Sequence, residues 1–195
     1  MLMKHLTQHI KIWPIKMRVE HRSGYTLWTI TDNNDLVLSI LGNVLLFRNE
    51  KELFRFIRAG NTCNFSDYKD YKKLSNLLKE NTQVSMELMH SLVYYNFDRI
   101  GRLLSEGQWA TWRLKTCSQI LDSLNMLSDI GVTIDDEWIK SQIGTSSSQI
   151  GAFMDALTFV TKQDLQILSR FDFEHISRVY SQILQRIMQK VLFVC

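Results

Sequence analysis

Asp135, Asp136 and Glu137 form the densest acidic group of the sequence. Three adjacent carboxylates can coordinate a hard cation or receive a basic partner. Consecutive residues on a helix point in different directions, so a shared metal ion is not expected; complementing a helix N-terminus suits them better. His5 and His9 are four apart, the spacing that puts two imidazoles on one helical face, but no third ligand or neighbouring base accompanies them. His90 lies among apolar residues and His175 beside Glu174, neither with a nucleophile that the sequence identifies as its partner. Cys63, Cys117 and Cys195 are far apart and match no metal or redox spacing, which points to reduced thiols in a cytoplasmic protein. Phosphate loops, dinucleotide fingerprints and nucleophile elbows are missing. The expectation is a chain that is not an enzyme and holds no cofactor or metal. What remains is recognition chemistry: Trp109 and Trp112 with Gln108 and Arg113 have the residue types of interface hot spots, and Trp138 adjoins the acidic group. Tryptophans three apart at a helix start also suit a core.

The elements that must position these groups fall into two stretches. Ile15, Met17 and Val19 alternate with Lys16, Arg18 and Glu20, a period of two that predicts a strand, with Ile10 and Ile12 as its extension and Pro14 as an interruption or edge. His21–Gly24 turns the chain, Tyr25–Thr31 is rich in β-branched and aromatic residues, and Asp32–Asp35 is a turn by composition. Leu36–Leu41 and Val44–Phe47 flank Gly42-Asn43, a two-residue hairpin connection. Asn49 and Glu52 make a capping box for a helix burying Leu53, Phe54 and Ile57, which Gly60 ends. After it every pattern is helical: 66–78, 83–97, a short helix capped by Asp98, 109–130 ended by Gly131, a short helix from Thr133, 150–160 after the Thr145–Ser148 loop, and 162–170. A final helix opens at Asp172 or Phe173 and carries a stripe through Ile176, Tyr180, Ile183, Ile187, Val191 and Leu192.

The predicted class is α+β: an N-terminal antiparallel β-meander with a covering helix over 1–60, then a mainly α-helical half over 61–195, packed as one unit. A chain of 195 residues with 45% hydrophobic and 22% charged side chains can bury a real core. No leader-like or membrane-spanning apolar run is seen, so a cytosolic location is expected. The net charge of +3 permits nucleic-acid contact without concentrating into a basic stripe.

The order of modules, Tyr25-Thr-Leu-Trp28, the hairpin ending at Phe47, the capped Asn49–Ile57 and the later Leu121–Asp129, resembles immunity proteins of bacterial polymorphic toxins, including those of contact-dependent growth inhibition. The resemblance implies a non-catalytic cytoplasmic protein that binds a cognate toxin domain, commonly a nuclease, and blocks it. Such binding would use a local acidic surface, at Asp32 and Asp35 or at Asp135–Glu137, or apolar and shape complementarity. The alternative expectation is a nucleic-acid-binding adaptor using Lys16, Arg18, Arg22 and the Lys69–Lys73 cluster.

Overall fold

The structure is a computed structural model that describes residues 10–31, 34–81, 83–161 and 165–194. It is α+β, as the patterning predicts, but its sheet is mixed and larger than a meander. Strands β1 (Ile12–Val19), β2 (Arg22–Ile30), β3 (Asp35–Val37), β4 (Ser39–Ile40) and β5 (Asn43–Phe47) lead into helices α1 (Glu50–Arg58), α2 (Lys69–Glu80) and α3 (Gln83–Met89). Then follow β6 (Val93–Asn96), α4 (Phe97–Glu106), α5 (Leu114–Thr133), α6 (Glu137–Ile143), α7 (Gln149–Phe159), α8 (Phe173–Met188) and β7 (Val191–Val194). Short 3-10 segments lie at Trp109–Thr111 and Leu165–Arg170.

The chain forms two compact units, residues 22–95 with 190–194 and the described residues before 19 in the first, and 19–21 with 96–189 in the second. The first contains the sheet, in the order β4-β5-β2-β1-β6, with β3 also on β2 and β7 parallel to β5. Val44 faces Val191 and Phe47 faces Val194 in that parallel pair. One face of the sheet, through Ile12, Leu27 and Phe47, packs on Leu53 and Ile57 of α1 and Leu74 of α2. The capping box forms: Asn49 Oδ1 accepts from the Glu52 amide at 3.0 Å and Asn49 Nδ2 donates to Glu52 Oε1 at 2.9 Å. Gly60 takes the left-handed conformation, at φ 67°.

Two strands replace predicted helix. The single helix expected over 83–97 ends at Met89, and Val93–Asn96 becomes the sheet's outer strand, because β-rich Val-Tyr-Tyr gains a ladder there. The last helix stops at Met188 and Val191–Val194 joins β5. Hairpins also shift by a residue or more. Both Glu20 (φ 48°) and His21 (φ 63°) are left-handed, as are Leu41 (φ 50°) and Gly42 (φ 71°), so the turns are 20–21 and 41–42 rather than 21–24 and 42–43.

The second unit, residues 19–21 with 96–189, gathers α4–α8. Asn96, not Asp98, caps α4 by accepting from the Arg99 amide at 3.0 Å; Asp98 Oδ2 instead accepts from the His21 amide at 3.0 Å. Gly131 does not end a helix but lies inside α5, where a Cβ would come within 2.6 Å of Ile139 Cγ2; its bare backbone lets α6 approach. Tyr180 of α8 is fully buried, and its hydroxyl donates to the Phe97 carbonyl at 3.0 Å.

Candidate partner-binding groove

The acidic group at 135–137 is tied up by cations of the same unit. Asp136 caps α6, accepting from the Ile139 amide at 3.0 Å, and receives Arg186 Nε at 2.8 Å and a second guanidinium nitrogen at 3.2 Å. Partial burial pushes its pKa up, but the Arg186 guanidinium and the Ile139 amide outweigh that and hold it below the ordinary carboxylate value. Lys140 Nζ bridges Asp135 at 2.6 Å and Glu137 at 2.7 Å; these two carboxylates raise the lysine's pKa. The Arg186 guanidinium also stacks over Trp138, 5.2 Å from the ring centroid. Three carboxylates matched by two cations leave one net negative charge on the cluster, less than the three the sequence suggests.

The other predicted residues scatter. Trp112 is a core residue, 6% exposed and edge-on to Phe173 at 5.5 Å, whereas Trp109 is half-buried in its 3-10 turn. Asp35 opens β3 opposite Ile30, half-buried; Asp32 lies outside the described residues, as do His5, His9 and Cys195. Among the described residues no three His, Cys, Asp or Glu side chains cluster for a metal ion. Of the basic residues, Lys16 sits 5.0 Å from the Tyr25 ring and 5.9 Å from the Tyr94 ring, and Arg22 stacks on Phe193 at 3.5 Å. Lys69, Lys72 and Lys73 lie on the exposed side of α2.

The site the sequence did not single out is a depression of about 630 Å³ between α1 and α3. Lys51, Arg55 and Arg58 recur at four and three residues along α1, which places them in one row beside the buried stripe. Phe54, 3% exposed, makes part of the floor, and α3 contributes Met86 and Met89 with Ser85 and His90 at its end. Met86 is 60% exposed, a large apolar side chain left in water. Arg58 Nε donates to the Leu78 carbonyl at 2.9 Å, which holds that guanidinium at the rim. Lys51 and Arg55 form no ion pair among the described residues. Glu50 is the one acid in the lining. The 51, 55, 58 spacing and the Met86–Met89 pair were both legible as sequence; that they face one another was not.

No helix among the described residues is long and apolar enough to cross a membrane. No curated protein matches the chain. A solved structure, described as the crystal structure of SatS C-terminal domain in complex with bromine, has the same fold. Its TM-score is 0.65 at 12% sequence identity, over 96% of this chain and 96% of that one. The family model of the SatS C-terminal domain matches residues 12–187, which takes in all the elements from β1 through most of α8. This chain belongs to the SatS C-terminal domain family.

Proposed function

We propose that this chain is a non-catalytic protein-binding module whose contact surface is the groove between α1 and α3. The observation that carries the proposal is Met86, 60% exposed beside Met89 and a floor of Phe54 in the 630 Å³ depression. Flexible, polarisable methionines suit a surface that must fit another protein's side chains. A cognate toxin domain is the partner class suggested by the module order of the sequence. The groove's own cations favour an acidic face on such a toxin over a basic nuclease cleft, and the acids at 135–137 are already paired within the chain.

Site-specific photo-crosslinking tests the proposal. A photoreactive residue at Met86 should trap a defined protein in native cells, while one at exposed Arg178 on α8 should not. Equal trapping at both positions, or none at Met86, would sink the groove as a contact surface. Recovery of nucleic acid that washes off with salt would replace the proposal by the adaptor function.

A further inference from the structure

We infer that the α1–α3 groove is built for an acidic amphipathic helix of the partner protein, an inference that rests on the protein-binding proposal above. Four features converge. Lys51 to Arg58 spans seven residues, about 10 Å or two helical turns, so the cationic row matches the repeat of a helix laid alongside it. The floor of Phe54 and Met89 with Met86 at the rim offers apolar contact for side chains at i, i+3 or i+4, and i+7 of the incoming helix. A volume of about 630 Å³ is enough for several such anchors. The walls are themselves helices, whose mid-element N–H and C=O groups are bonded internally. An extended peptide there would find no sheet edge to satisfy its own backbone, whereas a helix arrives with its backbone already bonded.

The charge pattern selects the sign. Lys51, Arg55 and Arg58 face one acid, Glu50, in the lining, and none of the three cations has an ion-pair partner among the described residues, Arg58 being held by the Leu78 carbonyl. Carboxylates flanking the apolar stripe of the partner helix meet them as it docks. Lysines in the same places would be repelled.

The test uses three fluorescein-labelled peptides of about four helical turns with a leucine stripe. One carries glutamates on its flanks, one carries lysines there, and one repeats the acidic sequence with a central proline that breaks the helix. Fluorescence anisotropy should show binding of the first alone, weakening as salt rises. The K51E/R55E double variant should lose at least about tenfold in affinity, and K72E/K73E on exposed α2 less than about twofold. All four positions are exposed, and circular dichroism checks that both variants fold. Equal binding of the lysine peptide overturns the charge assignment, and equal binding of the proline peptide overturns the helix. If either peptide shifts the labelled methyl resonances of Met86 and Met89, the protein-binding proposal still stands. Failure of the acidic peptide to bind at all overturns this inference, while the Met86 crosslink decides the broader proposal separately.

Discussion

Replacing Tyr180 by phenylalanine removes one buried hydroxyl and should cost stability at neutral pH but progressively less at alkaline pH. The hydroxyl is fully enclosed and donates to the Phe97 carbonyl at 3.0 Å, tying α8 to the first residue of α4. Its loss removes one net hydrogen bond and leaves a carbonyl less well satisfied, a cost of about 1–2 kcal/mol. The same hydroxyl is held protonated in the fold: burial, and secondarily the Asp98 carboxylate, push its pKa well above the ordinary 10. Because the folded pKa is raised, the stabilisation is complete below the unfolded pKa near 10 and drains away as pH rises beyond it. The slope is about 1.4 kcal/mol per pH unit for each such group. The phenylalanine variant lacks this drain. Its deficit relative to the parent should therefore be about 1–2 kcal/mol at pH 8, shrink above pH 10 and vanish near about pH 11. Urea unfolding followed by circular dichroism from pH 7 to 11 measures the difference directly. A deficit that stays constant across that range would refute the account of the buried phenol, and no deficit at pH 8 would refute the role of the hydrogen bond.

Tyr71 provides a contrast, since its buried hydroxyl has no hydrogen-bond partner of good geometry while burial, then Cys63, raises its pKa. Y71F should cost less than about 0.5 kcal/mol at neutral pH yet flatten the alkaline loss in the same way, read by the same titration. Gly131→Ala should destabilise by about 1–3 kcal/mol despite alanine's better helix propensity, because the new methyl meets Ile139 Cγ2; pairing it with I139A in a double-mutant cycle should show strong coupling. Asn49→Ala should cost about 1 kcal/mol in denaturant unfolding through loss of the α1 cap, and should weaken groove binding if the register of Lys51 and Arg55 depends on it. R186A should raise the Asp136 pKa toward the ordinary value, as measured by carboxyl carbon chemical shifts against pH, with little change in exposed-pair stability.

The parts of the fold legible in the sequence were those with local causes. Alternation marked β1, and Asn49 with Glu52 marked α1 to the residue. What stayed hidden depended on distant partners. Val93 to Tyr95 and Val191 to Leu192 each continue the helical phase of the segment before them, so four residues cannot separate the periods. Pairing with strands far away in sequence decides in favour of strand. The turn positions slipped because Glu20, His21 and Leu41 adopt left-handed backbone without the glycine or asparagine that usually announces it. For the site, Trp112 and the 135–137 acids drew notice by composition, yet the first is core and the second already engaged by Lys140 and Arg186. The groove was missed because it exists only where two separately legible helices meet.

The parallel pairing of β7 with β5 has a consequence for how the molecule is made. Residues 44–47 leave the ribosome almost 150 residues before the strand that covers them, with the whole of 96–189 synthesised in between. Until Val191–Val194 emerges, the apolar strand Asn43–Phe47 carries an open edge able to pair with other chains. Completion of the first unit therefore waits on a strand that follows the whole second unit in the chain, and is slow by that sequence separation. Truncation just before Lys190 should leave the second unit's residues intact while producing a chain prone to edge-to-edge aggregation. The sheet thus stays unsealed while residues 96–189 are made, and β7 acts as the closing seam.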